Sequence, residues 1–293
     1  MSEASFVAGC GLGALNTWGC GGSCRWLASP KDASEAALFI KKAADEGTGL
    51  YILGGGSNIL VQDGFIDAGV ISTGAMDEFE VYAAEGGARI EAAAGVPVKK
   101  LLALSLEKGL TGMEFLTGIP GTFGGALFGN AGAAGCSFAP LVEWAETISF
   151  DGSHRRWRAE ELLWKYRTCP WGENSLLITK ASLRLRSGSR EEITENIRRF
   201  SALKKGQPIG AKTAGCVFKN PEGNSAGRLL DVCGCKKLSV GAARVSQNHA
   251  NFIENSGGAS AADIYALTEM CRKRVYEEYG IVLEYEIKFF GAF

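Results

Sequence analysis

The chain is poor in the residues that build metal sites, since its 293 residues include only 2 histidines and no Cys-x-x-Cys pair. Zinc sites usually combine closely spaced cysteines with histidines. The 9 cysteines are scattered and odd in number, which favours reduced thiols over a disulfide framework. Metal binding by Cys20 with Cys24, or by Cys233 with Cys235, is the weaker alternative. We therefore predict no metal.

The sequence also lacks an excess of charge, with 31 Lys and Arg against 32 Asp and Glu and a net charge of -1. Such a balance gives no general attraction to DNA, RNA or anionic lipid. No Lys or Arg precedes Arg25, so the basic start of a signal peptide is missing. The uncharged run 115–142 contains Pro120, Pro140 and many glycines, which indicate a tight-turned loop and not a membrane helix. These features predict a cytoplasmic protein that binds neither nucleic acid nor membrane.

The length and the order of the elements predict more than one domain. A chain of 293 residues with 46% hydrophobic residues can form more than one packed core. Short strands and helices alternate in the first half, and a charged helix beginning near Glu191 precedes a last α+β portion. We predict an α+β fold divided at residues 1–75, 76–190 and 191–293.

Hydrophobic periodicity predicts the individual elements. Asp32 is a predicted N-cap for a helix whose apolar face includes Phe39 and Ile40. Further helices are predicted over 97–108, from 191 to about 205, and over 261–279. Strands are predicted over 50–53, 59–61, 70–72, 79–82, 89–93, 147–150 and 176–185, near Val217, Val245 and Phe252, and through Ile287.

Two glycine-rich segments are candidates for binding a ligand. In LGGGSNIL, residues 53–60, a strand enters three glycines, so backbone N–H groups can approach an anion closely. A strand follows and not a helix, which excludes the Rossmann fingerprint and the P-loop. The second segment, GIPGTFGG over 118–125, continues to Asn130 and Gly132 and leaves room for a flat ligand. Either segment alone could be an ordinary turn or buried loop, but together they favour a pyrophosphate-bearing cofactor.

Three further segments carry side chains that could take part in chemistry. Arg167 could clamp a carboxylate or phosphate, although it could equally be a surface charge. Cys216 follows a glycine and precedes polar residues, which favours an accessible thiol over an inert core cysteine. In an alternating strand, Glu284 and Glu286 share one face, and both could simply face solvent.

Together and in this order, these motifs resemble the UDP-N-acetylenolpyruvoylglucosamine reductase (MurB) family. The resemblance extends from about Asn16 to Gly291, and the ordered set is far more specific than any single piece. The matching pieces are residues 16–17, 54–60, 118–125, 130, 166–167, 215–221, 248–252 and 283–287.

The resemblance implies a flavoenzyme that uses NADPH to reduce UDP-N-acetylglucosamine enolpyruvate to UDP-N-acetylmuramate, a precursor of peptidoglycan. The first two portions would form the FAD-binding domain of the vanillyl-alcohol-oxidase-like (PCMH-type) superfamily, and the last portion would bind substrate. Non-covalent FAD would be held by Gly54, Gly55, Gly56, Ser57, Asn58, Gly118, Ile119, Pro120, Gly121, Thr122, Gly124, Gly125, Asn130 and Gly132.

The resemblance also assigns catalytic roles. Arg167 and Glu286 would stabilise the negative charge that hydride transfer places on the substrate, and Cys216 would donate a proton to it. Substrate contacts would come from Lys204 or Lys205, and from Lys219 and Asn220. The chain would act as a monomer.

The sequence departs from the family pattern in three places. Cys216 replaces the usual serine, and because a thiol is more acidic than an alcohol the role remains possible. Residues 185–207 leave space for little beyond one helix, which indicates the shorter class without a tyrosine-bearing lid. Cys169 also stands where the family often has serine.

His249 is interpreted as a structural histidine and not a general base.

Two other functions are compatible with this composition. One is a flavin-dependent alcohol or sugar oxidase of the same superfamily, many of which bind FAD covalently. No histidine precedes His154, which disfavours it. The other is a nucleotide-binding protein without catalytic activity, and the presence of Arg167, Cys216 and Glu286 disfavours that alternative.

Overall fold

The computed structural model describes residues 6–172 and 176–293. Within these ranges the α-helices are α1 (Ala33–Asp45), α2 (Val98–Glu107), α3 (Phe123–Phe128), α4 (Arg190–Ala202), α5 (Ala226–Val232) and α6 (Ala261–Tyr279). Short 3-10 helices cover Gly13–Leu15, Thr73–Ala75, Glu114–Leu116, Ala139–Leu141, Ala159–Glu161 and Cys235–Lys237.

The strands are mostly short. They are β1 (Phe6–Ala8), β2 (Ser23–Ala28), β3 (Gly49–Leu53), β4 (Ile59–Val61), β5 (Phe65–Ser72), β6 (Phe79–Ala84), β7 (Gly87–Ala93), β8 (Leu110–Thr111), β9 (Gly132–Ala133), β10 (Cys136–Ser137), β11 (Val142–Ser149), β12 (His154–Arg158), β13 (Leu176–Ser187), β14 (Ser239–Val240), β15 (Ala243–Val245), β16 (Ile253–Asn255) and β17 (Lys288–Phe290).

Local sequence signals explain where several helices begin. The Asp32 side chain accepts a hydrogen bond from the Glu35 N–H, as predicted for the cap of α1. At α6, Ser260 and Asp263 form a reciprocal capping box, and Gly280 in the left-handed region ends the helix. These signals confirm the predicted helices over 33–45 and 261–279.

The chain divides into two compact units that do not follow chain order. The first unit comprises Phe6 and Val7 with Leu27–Gly55 and Gly69–Lys205, and the second comprises Ala8–Trp26, Gly56–Ala68 and Gly206–Phe293. The unit boundaries cut three strands of a sheet with the order β1-β2-β5-β3. The three-part division drawn from the sequence stays a prediction.

The first unit is built on an antiparallel sheet with the order β12-β11-β13-β7-β6, to which β8 adds by pairing with β13. The central strand β13 is almost continuously buried, so both its faces are covered. The apolar core beside this sheet includes Leu101 of α2, Phe123 and Leu127 of α3, and Phe200 of α4.

The second unit encloses a separate apolar core around α6. A sheet with the order β14-β15-β16 and the parallel pair β4 with β17 lie in this unit. The core includes Trp18, Leu60, Leu229, Leu267 and Ile287. The indole N–H of Trp18 donates to the Ile253 carbonyl at 2.9 Å, so this buried side chain is satisfied.

Two expectations about elements are wrong. The run predicted as a loop contains α3 although its two glycines disfavour a helix, because Phe123, Ala126 and Leu127 are buried in the core of the first unit. Residues near Val217 form no strand, because their segment makes only an isolated bridge between Phe218 and Tyr285, and the last strand begins after Ile287 as β17, which pairs with β4. Within the described ranges, no helix is long and apolar enough to cross a membrane.

Candidate active site

The two glycine-rich segments meet in the first unit. A Cβ atom added at Gly55 would lie 2.6 Å from the Gly121 Cα, and one at Gly54 would lie 2.7 Å from the Thr122 Oγ1. Only glycine permits this approach of backbone to backbone. The Thr122 Oγ1 is buried and makes no hydrogen bond with any described residue. A backbone-lined surface with an unsatisfied hydroxyl fits a polar, pyrophosphate-bearing cofactor.

Arg167 is also in the first unit and is fixed by main-chain carbonyls. Its guanidinium donates to the Asn130 oxygen at 3.1 Å and to the Gly132 oxygen at 2.7 Å. The Arg167 backbone lies in the left-handed region with φ 52°, which costs a non-glycine residue roughly 1 kcal/mol or more. Strain of this kind is retained where the surrounding structure defines the side chain's position. The structure thus brings together Arg167 and two residues that we predicted to bind cofactor.

Cys216 and Glu286 lie on adjoining segments of the second unit. The residue after the cysteine, Val217, accepts the Glu286 N–H at 2.8 Å through its carbonyl oxygen. The Lys219 N–H donates to the Glu284 oxygen at 2.8 Å, so the two segments are joined on both sides of the Phe218 to Tyr285 bridge. Cys216 and Glu286 are each half-buried. A protic side chain and a carboxylate separated by about 70 residues are thereby placed on neighbouring backbones.

Comparison with known proteins identifies the family. Residues 207–290 match the UDP-N-acetylenolpyruvoylglucosamine reductase C-terminal domain, and residues 25–157 match an FAD binding domain. A UDP-N-acetylenolpyruvoylglucosamine reductase from Syntrophotalea carbinolica is 40% identical over 278 residues, covering 94% of this chain and 91% of the relative. The chain belongs to the UDP-N-acetylenolpyruvoylglucosamine reductase family.

Other relatives agree with this family. The reductase from Heliobacterium modesticaldum is 37% identical over 94% of this chain and 87% of its own length. The crystal structure of the MurB enzyme from Thermus caldophilus matches with a TM-score of 0.80 and 34% identity over 98% of both chains. Cholesterol oxidase from Brevibacterium sterolicum matches with a TM-score of 0.51 at 14% identity, over 64% of this chain and 38% of its own, which shows a shared fold only. The predicted α+β fold with an FAD-binding domain is confirmed.

Asn58, another residue predicted to bind the cofactor, lies in the second unit. Its side-chain amide donates to the Glu286 carbonyl at 3.0 Å, and its own carbonyl accepts the Lys288 N–H at 2.9 Å. Asn58 therefore holds the backbone on both sides of Ile287. Gly56, with φ 63°, accepts the Thr17 N–H at 3.0 Å.

The predicted substrate contacts of the reductase chain have protein partners in the structure. The Lys204 ammonium donates to the Thr117 carbonyl, beside the second glycine-rich segment. The Lys219 Nζ lies 3.4 Å from a carboxylate oxygen of Glu284. The Asn220 side-chain oxygen accepts the Ala226 N–H at 3.0 Å, at the start of α5. Substrate binding by these residues stays a prediction.

His249 is a half-buried histidine of the second unit. Its Nδ1 accepts the Asn251 N–H at 3.2 Å, which requires a neutral ring at that nitrogen. Burial, assisted by the positive charge of Lys236, lowers the pKa of His249 below its usual value of 6.5. A Cβ atom at Gly227 would lie 2.7 Å from the ring, so α5 packs directly against it.

The lowered pKa of His249 predicts acid sensitivity. The unfolded chain takes up a proton near pH 6.5 while the folded ring resists it, so stability is complete above that pH and declines as pH falls through the folded-state value. We expect the melting temperature to fall between pH 7.5 and 5.5, and His249→Gln to flatten this part of the dependence. His154→Gln, at an exposed position on β12, is the control and should leave the curve unchanged. A slope that survives His249→Gln would show that other groups cause it.

One cavity in the second unit was missed by the sequence reasoning. It has a volume of about 320 Å³ and is lined by Pro208, Ile209, Ala211, Arg244, Gln247, Asn248 and Glu254. Arg244 donates to the Glu254 carboxylate at 2.8 Å across two strands. Burial opposes ionisation of Glu254, but hydrogen bonds from Ser246 and Arg244 outweigh it and lower the pKa. Only Asn248 lies in a segment identified from the sequence, and Arg244 and Glu254 come together through the pairing of β15 with β16.

Proposed function

We propose that the chain reduces UDP-N-acetylglucosamine enolpyruvate to UDP-N-acetylmuramate, using NADPH and non-covalent FAD, in the synthesis of peptidoglycan precursors. The observation that carries this proposal is the backbone pairing of the Cys216 segment with the Glu286 segment in a chain of the reductase family. Reduction of an enolpyruvyl ether requires a proton donor, and a carboxyl group that shares a proton or hydrogen bond can stabilise the negative charge that develops on the substrate.

The residues of the glycine-rich contact would hold FAD. Gly54 and Gly55 let the first glycine-rich segment pack directly against Gly121 and Thr122 of the second, and the buried Thr122 hydroxyl would gain a hydrogen-bond partner in the bound cofactor. The chemistry that FAD supplies when bound is the transfer of a hydride between NADPH and the substrate. The other residues of the two segments named from the sequence would complete the binding site.

Each catalytic residue has a distinct role in the proposal. Arg167, with its guanidinium fixed by two carbonyls, would stabilise negative charge as it develops on the substrate. Glu286 would stabilise the same charge through a shared proton or hydrogen bond. The Sγ of Cys216 would deliver its proton to the substrate carbon next to the one that accepts the hydride.

The proposed function also includes the identity of the proton donor, the substrate contacts and the state of the protein in the cell. Cys216 would replace the family's serine as proton donor, since a thiol and a hydroxyl can occupy the same place. The shorter class without a tyrosine lid is supported by β13 and α4, which fill nearly all of residues 185–202. Lys204, Lys219 and Asn220 would contact the substrate. We further propose a monomer in the cytoplasm, because a chain with nine scattered cysteines is compatible with the reducing conditions there.

The purified protein should be yellow and should release its flavin without breaking a covalent bond. Acid denaturation followed by filtration is expected to leave FAD in the filtrate, because residues 53–60 and 118–125 contain neither histidine nor cysteine to form a covalent link. Retention of the flavin on the precipitated protein would instead favour the oxidase alternative. A colourless protein that cannot be reconstituted with FAD would remove the basis of the proposed function.

A further inference from the structure

A buried asparagine, Asn251, forms hydrogen bonds with the segment that carries Cys216. Asn251 is 3% exposed, and its side chain makes two hydrogen bonds with the backbone of one residue, Phe218. The Phe218 N–H donates to the Asn251 Oδ1 at 2.9 Å, and the Asn251 Nδ2 donates to the Phe218 carbonyl at 2.8 Å. This pairing imitates a strand contact where no strand forms.

The main chain of Asn251 adds a third contact to the same segment. The Val217 N–H donates to the Asn251 carbonyl at 2.9 Å, so both residues after Cys216 are held. The carbonyl of Val217 in turn accepts the Glu286 N–H. A continuous series of hydrogen bonds therefore runs from Asn251 through Val217 to Glu286, all within the second unit.

The hydrogen bonds from Asn251 are important for the position of the Cys216 segment, because this segment and the Glu286 segment do not form a regular β-ladder. Among the described residues, the Cys216 and Glu286 segments share a single isolated bridge, and an isolated bridge fixes register weakly. Gly215, with φ 78° and open space around its Cβ position, leaves the chain before Cys216 free of steric restriction. The hydrogen bonds to Val217 and Phe218 therefore fix the backbone immediately after Cys216 and contribute to the position of its thiol.

We propose that Asn251 is a positioning residue that fixes the register of Cys216 against Glu286, an inference that rests on the proposed function. Asn251 touches no reacting atom in this account. Its side chain acts through the backbone of Phe218, and loss of that side chain would leave the Phe218 N–H and carbonyl without these partners, while the Val217 bond to the Asn251 carbonyl would remain.

The second unit offers a matched control in Asn255. Asn255 is 8% exposed, and its side chain makes three hydrogen bonds with backbone, compared with two for the side chain of Asn251. Its Nδ2 donates to the Trp18 carbonyl at 2.9 Å, and its Oδ1 accepts the Gly257 and Ala259 N–H groups at 2.9 and 3.0 Å. Asn251→Ala and Asn255→Ala therefore remove similar structural contacts, but only the first disturbs the segment after Cys216.

The test compares the two alanine variants in separate half-reactions. We expect both to lower the melting temperature, and only Asn251→Ala to slow reoxidation by the enolpyruvyl substrate, by about tenfold or more, with reduction by NADPH unchanged. Asn251→Asp keeps the acceptor and loses the donor, and it makes the same comparison if the alanine variant fails to fold. Equal slowing by the Asn251 and Asn255 variants, or a wild-type rate in a folded Asn251 variant, would overturn the proposal.

A second readout does not depend on enzymatic activity. Alkylation of Cys216 by iodoacetamide, followed by peptide mass spectrometry, should be several-fold faster in the Asn251 variant, because the thiol is half-buried in the wild-type protein. The exposed Cys136 serves as an internal standard with an unchanged rate. If wild-type protein does not reduce the substrate, the proposed function fails, and the alkylation rates still decide whether Asn251 positions the thiol. Equal Cys216 rates in the wild-type, Asn251 and Asn255 proteins would contradict the inference.

Discussion

Cys216→Ala is expected to slow reoxidation of the reduced enzyme by the enolpyruvyl substrate by about a hundredfold or more, the loss typical of a missing general acid. Reduction of the flavin by NADPH should be unchanged, since hydride transfer from NADPH requires no proton from the Cys216 thiol. Rapid-mixing absorbance in the flavin band follows the two half-reactions separately.

Two further variants show whether slower reoxidation in Cys216→Ala comes from the loss of a proton donor. Cys216→Ser should retain substantial activity, because a hydroxyl of similar size can donate a proton from the same position. Cys136→Ala, which removes an exposed cysteine of the first unit, should leave both half-reactions unchanged. Reoxidation of Cys216→Ala at close to the wild-type rate would show that the thiol is a packing residue.

Substitution of Glu286 or Arg167 is expected to lower turnover far more than it weakens substrate binding. Both residues are proposed to stabilise charge that exists mainly in the transition state, and losing one such contact typically costs about a hundredfold or more in turnover. Steady-state measurement of kcat and KM for Glu286→Gln and Arg167→Lys tests this. The Arg167 change also loses the fork that the Asn130 and Gly132 carbonyls hold.

Glu284→Gln is the matched control for the Glu286 variant. The two glutamates are two residues apart on the same segment, and the Glu284 side chain is 76% exposed. Its replacement should change kcat little. Near-normal turnover in Glu286→Gln would show that Glu286 is a surface carboxylate like its neighbour.

The helices and the longer strands could be predicted because their signals are local. Asp32 and Ser260 cap helices whose apolar spacing is visible in the sequence, and Gly280 ends α6 with a left-handed residue. The strand over 176–185 is correct within two residues, because an apolar start followed by alternating polar and apolar residues over 180–185 is typical of a strand.

The arrangement of the site could not be predicted from local pattern. The alternation of Leu283, Tyr285 and Ile287 suggested a strand, but these residues only cross the Phe218 segment at one bridge. The grouping of residues 8–26 and 56–68 with the C-terminal unit depends on long-range contacts such as that of Trp18 with Ile253. Periodicity over a few residues carries no information about partners 200 residues away.

The role of asparagine side chains was equally hidden in the sequence. Asn58 lies in a glycine-rich motif that suggests a phosphate contact, yet its amide donates to the Glu286 carbonyl. Asn251 lies in the same motif as His249, which was the candidate considered for catalysis, yet it is the Asn251 side chain that hydrogen-bonds the Phe218 backbone. A side-chain amide that hydrogen-bonds backbone groups in place of a neighbouring strand can be identified only when the position of that backbone is known.

Anaerobic mixing of the NADPH-reduced wild-type protein with UDP-N-acetylglucosamine enolpyruvate tests the central claim most directly. We expect the flavin absorbance to return with about one equivalent of UDP-N-acetylmuramate formed for each flavin reoxidised, as a two-electron hydride transfer requires. A flavin that remains bleached with the substrate and is reoxidised only when oxygen is admitted would contradict the proposed function and favour an oxidase.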